Sequence, residues 1–388
     1  NAKDKVPFKI FDKKNAEKLF GKNLNISASQ LEKFNLCRFS YFCNYGLNVR
    51  ERQKAEINPM QYGTIVHYIL ERFFGEYTKE EYLSLEEDKF QKIVCAYLAE
   101  YAVKYFGEEQ LESNSFTYRL KTILDNVMYL MKHIMEELSQ SEFFVADCEL
   151  KIGEDIPSYT IVLPDGHKIA VCGSVDRVDI MQRADITYLR IIDYKTGTKQ
   201  FKLSDILYGI NLQMLLYLHS IETSGGDKYG DIVPAGILYM PATVPYISSD
   251  SLKSIDKLPD ELNKKLKMNG LLLKDTEIIH GMDKSDAATY IPVKIKAGEP
   301  VSSTSLATLA EFGKIFKKVD MLIAEMGKNI YNGNIEAKPL KGGHDSCEYC
   351  PYDSVCAYRQ SNPITCFSVD NKTVIEEITN EINGKEEE

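Results

Sequence analysis

No uncharged apolar run of eighteen or more residues occurs in the 388-residue sequence, so none of it reads as a membrane-spanning helix. The first thirty residues lack the basic, apolar and small-residue order of a signal peptide, so the expected compartment is the cytoplasm and no membrane contact is expected. A phosphate-binding G-x-x-x-x-G-K-[ST] loop is also missing. Gly21-Lys22 has neither the upstream glycine nor the following hydroxyl, so this chain alone is not expected to hydrolyse ATP. Nor is there a surplus of positive charge. Lys and Arg number 47 against 57 Asp and Glu, a net charge of -10, which argues against a protein that coats nucleic acid by charge alone. Half of that charge is local: residues 376–388 hold six glutamates against one lysine and are expected to be solvated or partly disordered. Internal repeats and low-complexity segments are absent. The nine cysteines are an odd number without a secretory signal, which points away from a disulfide framework and toward metal or cluster ligation. The chain opens on Asn1-Ala2, which fits a segment cut from something longer.

What is present is enough apolar sequence, 44%, for at least one large core. Ser29-Gln30-Leu31-Glu32 reads as a capping box opening a short helix that ends near Cys37. A helix from Pro59 puts Gly63, His67 and Glu71 on one face, and long helical patterns follow over 79–106 and 116–139. From Glu142 the pattern turns to β over 143–152, 158–163, 167–180 and 187–194, with a turn at Pro164-Asp165-Gly166. A helix over 204–221 and a strand over Ile232–Met240 come next. Strands, helix and strand in that order predict an α/β fold, a mixed sheet with helices on its faces. Residues 241–303 carry weak, mixed signals and read as an insertion. A helix over 304–330 and a cysteine-bearing loop over 342–356 follow.

The strongest constellation is Gly173-Ser174-Val175-Asp176-Arg177-Val178-Asp179 followed by Ile191-Ile192-Asp193-Tyr194-Lys195-Thr196-Gly197. A hairpin turning within 181–186 sets Asp176 directly opposite Asp193, about 5 Å apart, close enough to share a cation. Lys195, two residues beyond Asp193, falls on the same face. Two carboxylates to hold Mg2+ or Mn2+, and an ammonium to orient the nucleophile or offset developing charge, are what phosphodiester hydrolysis requires. An acid beside Ile191 and Ile192 is costly without such a partner, which weighs against a plain surface ion pair. The same register pairs Asp179 with Arg190 on the other face as a structural ion pair. Arg177 is also off the catalytic face and reads as structural or as a phosphate contact. Gln213 and Tyr217 share one helical face; Gln213 reads as a phosphate-backbone or water-positioning group, or as a buried polar residue facing the sheet. Glu149, at the start of the β region, reads as a third carboxylate or as a surface strand acid.

The ordered set Gly63-x-x-x-His67, Gly173-x-x-Asp176-Arg177, Asp193-Tyr194-Lys195 and Gln213-x-x-x-Tyr217 resembles the RecB-type branch of the PD-(D/E)XK nucleases. Within it the likeness is closest to the nuclease domains of AddB-type subunits of AddAB helicase–nucleases, and it runs from about Ile26 to Cys356. The resemblance implies a restriction-endonuclease-like mixed sheet flanked by helices behind a helical N-terminal section. It implies Asp176 and Asp193 as metal ligands with His67, Lys195 as the catalytic lysine, and Gln213 and Tyr217 as the supporting motif. DNA is the implied substrate, an AddA-like helicase–nuclease the implied partner, and end resection in double-strand-break repair the implied role. No literal Pro-Asp pair precedes Asp176, as is common in this branch.

Cys347-x-x-Cys350-x5-Cys356 is one thiolate short of the four that structural zinc or an iron–sulfur cluster requires. Cys37, some 310 residues upstream, is the candidate fourth, with Cys43 and Cys366 as substitutes. One distant N-terminal cysteine with a C-terminal triplet resembles the AddB-like pattern, which implies a [4Fe-4S] cluster acting as a staple between the two ends of the domain. Cys95, Cys148 and Cys172 sit in apolar patterns and read as core thiols. The expected layout is an extension over 1–25, a nuclease domain over 26–366 and an acidic tail over 367–388. Within the domain, 26–140 is helical, 141–240 the catalytic sheet, 241–303 the insertion and 304–366 the C-terminal helix and cysteine loop. Two further readings stand beside this one, a freestanding RecB-like or CRISPR-associated exonuclease and a non-catalytic DNA-binding scaffold. An intact Asp176, Asp193 and Lys195 speaks against the scaffold.

Overall fold

The computed structural model describes residues 9–50, 59–107, 113–197, 200–245, 247, 258–285, 287–302, 304–356, 358 and 363–386; Asn1 and Ala2 lie outside them. Helix α1 (Lys13–Phe20) and strand β1 (Asn23–Ile26) lead into α2 (Ala28–Leu36) and the short α3 (Arg38–Tyr41). The capping box of α2 is set two residues earlier than Ser29 and Glu32. Ser27 Oγ accepts from the Gln30 amide at 3.4 Å and Gln30 Oε1 accepts from the Ser27 amide at 2.9 Å. Glu32, released from capping, accepts instead from the Leu212 amide at 2.9 Å.

Then come α4 (Pro59–Glu76), α5 (Lys79–Leu83), α6 (Glu87–Phe106) and α7 (Asn114–Ser139). The helix expected over 79–106 breaks after Leu83. There the Ser84 hydroxyl turns back to the Glu81 carbonyl at 2.8 Å and competes with helix continuation. In α7, Val127, Leu130, Met131, Ile134 and Leu138 are buried at helical spacing, a stripe directed at the core.

The sheet region comprises β2 (Phe144–Ile152), β3 (Thr160–Val162), β4 (Lys168–Val171), β5 (Gly173–Arg183) and β6 (Ile186–Lys195). After it come α8 (Gln213–Ser224), α9 (Gly226–Tyr229), β7 (Asp231–Pro241), α10 (Leu258–Leu266), β8 (Asn269–Leu273) and α11 (Thr276–Met282). The remainder is β9 (Lys294–Lys296), β10 (Glu299–Val301), β11 (Leu306–Ala307), α12 (Leu309–Tyr331), β12 (Leu340–Gly342), β13 (Ile364–Cys366) and α13 (Asn371–Glu386). Six strands form the main sheet in the order β11-β8-β7-β6-β5-β2, and β1-β4-β3 form a smaller one. Strands β6 and β7 run parallel, joined by the crossover that contains α8, while β5 pairs antiparallel with both β6 and β2. Both faces of the central strands are covered, so Leu189, Ile191, Ile192, Ile237 and Leu238 are all 0% exposed.

Three sequence expectations change. The helix over 204–221 is a 3-10 turn at Leu203–Tyr208 followed by α8. Between them Gly209 takes φ 69°, and a Cβ there would lie 2.2 Å from the Asn35 amide nitrogen, which donates to the Gly209 carbonyl at 3.0 Å. Residues 241–303, read as an insertion, contribute β8 to the main sheet, paired with β7 and β11. The acidic tail is a docked helix rather than a solvated segment. Val374, Ile378 and Ile382 of α13 are buried at four-residue spacing, and Glu381 pairs with Lys318 of α12. No helix among the described residues is long and apolar enough to cross a membrane.

Candidate metal centre

The β5–β6 hairpin turns on Ala184-Asp185, a tighter turn than the 181–186 expected, but the centre is the same: Arg177 faces Ile192, Asp179 faces Arg190 and Arg183 faces Ile186. One step along that register sets Asp176 opposite Asp193. On its other side, Cys148 faces Arg177 and Leu150 faces Val175, so Glu149 falls beside Asp176, and Tyr239 of β7 is the partner of Asp193. The ladder thus lines up Glu149, Asp176, Asp193 and Tyr239 across four neighbouring strands.

Among the described residues, His67 of α4, Glu149 and Asp176 bring three possible ligand atoms within 4.8 Å of one another. His67 Nδ1 lies 2.9 Å from Glu149 Oε1, and its Nε2 lies 3.6 Å from Asp176 Oδ2. The other Glu149 oxygen, Oε2, accepts from the Ser174 hydroxyl at 2.8 Å, and Asp176 Oδ2 accepts from the Tyr194 amide at 2.9 Å. Glu149 also has φ 51°, the left-handed region, inside a strand. That conformation costs a non-glycine residue on the order of 1–3 kcal/mol and gathers at functional sites. The sequence gives no sign of it. Ser174 was visible only as the alternate residue before Asp176.

Burial, and then the negative charge of Asp193, push the Asp176 carboxyl up to about 7. Burial works against a charged His67, yet the Glu149 hydrogen bond and the Asp176 charge outweigh it and raise the imidazole. Burial likewise opposes ionisation of Glu149, but its bonds to His67 and Ser174 hold it below the usual carboxylate range. Acids crowded in this way need a cation, and the imidazole is the nearest one the protein supplies. Carboxylate oxygens with one imidazole nitrogen are a fitting donor set for a divalent ion.

Lys195 Nζ lies 2.6 Å from Asp193 Oδ2, with Asp193 almost fully buried and the lysine partly exposed. Gln213 is half-buried at the first position of α8, one turn before Tyr217. Tyr217 packs directly on Gly173, where a Cβ would come within 2.2 Å of its hydroxyl, so the glycine of one motif makes room for the tyrosine of another. On the opposite face by strand alternation, Arg177, Asp179 and Arg190 are fully buried with Glu137 of α7. Arg177 Nη2 donates to Glu137 Oε2 at 3.1 Å and to Asp179 Oδ2 at 2.8 Å, and Arg190 Nη2 donates to Glu137 Oε1 at 2.6 Å. Arg177 also donates to the Tyr194 hydroxyl at 3.2 Å, so its guanidinium is committed inside the fold. Glu137, some forty residues upstream on a helix, had no signal in the sequence.

Cys37, Cys347, Cys350 and Cys356 line one cavity of about 130 Å³ together with Phe39 and Ala337. Burial, with the nearby Cys356 and Cys350, raises the Cys37 thiol. Cys43 is buried in the same apolar cluster but does not line the cavity, and Cys366 belongs to a separate cluster with Ile210 and Leu340. Cys172 Sγ donates to the Ile26 carbonyl at 3.4 Å.

The fold and the hairpin define a class. The family model of the PD-(D/E)XK nuclease superfamily matches residues 25–357, and the chain belongs to that superfamily. Among individual proteins, it is 35% identical over 354 residues to the AddB-type ATP-dependent helicase/deoxyribonuclease of Thermoanaerobacter sp. (strain X514), covering 88% of this chain and 30% of that one. The protein of the same name from Clostridium kluyveri (strain NBRC 12016) is 35% identical over 397 residues, covering 98% of this chain and 34% of the relative. The Clostridium botulinum (strain Loch Maree / Type A3) protein, also so named, is 35% identical over 364 residues, covering 90% and 31%. The chain therefore spans about a third of the length of these relatives.

Proposed function

We propose that this chain is the nuclease domain of an AddB-like helicase–deoxyribonuclease and hydrolyses DNA phosphodiesters with a divalent cation, Mg2+ or Mn2+. The observation that carries the reading is the convergence of His67, Glu149 and Asp176 beside the Asp193–Lys195 pair. His67, Glu149 and Asp176 would hold the cation, with Asp193 next to them on the adjoining strand. The cation supplies a Lewis acid that polarises the phosphodiester and offsets its developing charge. Lys195, aligned by Asp193, puts an ammonium where a nucleophile is oriented and phosphoryl charge grows. The Tyr194 amide fixes one Asp176 oxygen, and Tyr217 supports the strand that carries Asp176 through Gly173.

The same reading assigns exonucleolytic processing of DNA ends in recombinational repair, an AddA-like partner and a cytoplasmic location. Each follows from the names of the relatives and from the four-motif resemblance. It also assigns a [4Fe-4S] cluster to Cys37, Cys347, Cys350 and Cys356. Their shared cavity fits such a group, and no three of their sulfurs fall within 4.8 Å, wider than the roughly 3.8 Å between thiolates on tetrahedral zinc. Digestion of end-labelled linear DNA with Mn2+, Mg2+ or chelator tests the activity. Wild type is expected to cleave only with metal and Asp176→Ala not at all; full activity in Asp176→Ala overturns the site.

A further inference from the structure

Glu149 is the only residue of β2 with a positive φ, and its two carboxylate oxygens are used separately. Oε1 meets His67 Nδ1 at 2.9 Å, and Oε2 is taken by the Ser174 hydroxyl at 2.8 Å. Ser174 stands two residues before Asp176 on β5 and so shares its face. Packing alone does not fix this carboxylate, because the Glu149 side chain is 26% exposed. Without the serine it is free to turn about its last torsion and offer both oxygens at once.

Mono- and two-oxygen binding suit different ions. Mg2+ requires a near-octahedral set of single oxygens, and Mn2+ favours similar sites, whereas the larger Ca2+ takes six to eight ligands and readily accepts both oxygens of one carboxylate. We propose that Ser174 is a positioning residue that sets cation selectivity: its hydroxyl occupies Oε2 and leaves Glu149 a single oxygen to share with His67 and Asp176. The proposal rests on the metal-dependent reading above. A residue that orients a metal ligand typically changes affinity 10–100-fold when it is removed.

Calorimetric titration of the chain with Mn2+ and with Ca2+ tests this without reference to cleavage. Wild type is expected to prefer Mn2+, and Ser174→Ala to reduce the ratio of Mn2+ to Ca2+ affinity by about 10-fold or more. Ser174→Thr keeps the hydroxyl and should keep the ratio. Ser174→Cys, nearly isosteric with a weak donor, should lose it and serves if the alanine variant does not fold. In a Glu149→Ala background, Ser174→Ala should change the ratio no further. A merely structural serine would weaken both ions alike, so an unchanged ratio in Ser174→Ala and Ser174→Cys overturns the proposal. If Asp176→Ala binds Mn2+ as wild type does, the cation site itself is wrong and the proposal falls with it. Loss of binding in Asp176→Ala with an unchanged ratio in Ser174→Ala rejects the role of the serine alone.

Discussion

Replacing Glu137 with alanine leaves two fully buried arginines facing a single acid. In the folded chain Arg177, Arg190, Asp179 and Glu137 are all 0% exposed and balance in charge, two against two. Glu137 accepts from Arg177 at 3.1 Å and from Arg190 at 2.6 Å, so the substitution removes two charge-assisted hydrogen bonds and strands one buried positive charge. Breaking a buried pair in this way costs about 3–5 kcal/mol, mostly because the remaining charge has no compensation. At ~2.1 cal/mol/K per residue, the unfolding entropy of the 388-residue chain is ~0.8 kcal/mol/K, so the melting temperature should fall by about 5 °C. Differential scanning calorimetry measures the shift, with urea midpoints as a check. Arg190→Met added to Glu137→Ala restores one acid to one arginine, so the double variant should melt above the single one. A Glu137→Ala protein melting within about 1 °C of wild type, or a double variant with the two losses simply added, would refute the claim that the quartet acts as a charge-balanced unit.

Lys195→Ala should lose DNA cleavage yet bind Mn2+ normally in calorimetry, because an ammonium is no ligand; lost binding with retained cleavage would reverse the roles of Lys195 and its neighbours. Absorbance near 400 nm of freshly purified protein should disappear in Cys37→Ala and persist in Cys43→Ala, since only Cys37 lines the cavity with the C-terminal triplet. Bleaching by Cys43→Ala alone would move the fourth ligand. His219 is raised to about 9, burial opposing and its bonds to Asp320 and Glu222 prevailing. A raised folded value means a contribution that is complete below the ordinary 6.5 and lost as pH rises through about 9. The melting gap between wild type and His219→Gln should therefore be wide at about pH 6 and close by about pH 10; a gap independent of pH would reject the assignment.

The hairpin register was legible because period-2 alternation and the Asp179–Arg190 pair fix it from both faces. The length of its turn was not, since Ala184-Asp185 carries no glycine signal and Ala184 takes φ 49°. The α2 cap was ambiguous because Ser27 and Ser29 both stand three residues before a Gln or Glu, and only the path of the chain from β1 selects Ser27. Strand β8 escaped notice because Leu271-Leu272-Leu273 is too short to separate strand from helix by periodicity. Helix α13 was hidden by composition. Its glutamates dominated the count, while the spacing of Val374, Ile378 and Ile382 was the better guide. Of the candidate site, residue identities were readable, but the positive φ of Glu149 and the Glu137 bonds are set by tertiary context.

The cysteine cavity also imposes an order of events on the newly made chain. Cys37 leaves the ribosome about 310 residues before Cys347, a delay of roughly 15–60 s at ordinary synthesis rates. In that interval α2, the hairpin and most of the main sheet have emerged, while three of the four cavity thiols have not yet been made. Cys37, buried in the finished fold, must wait as a reduced thiol without its companions. Whatever fills the cavity is thus delivered late, to a domain that already holds its catalytic hairpin. Failure to deliver it would yield full-length protein with open ends rather than a truncated product.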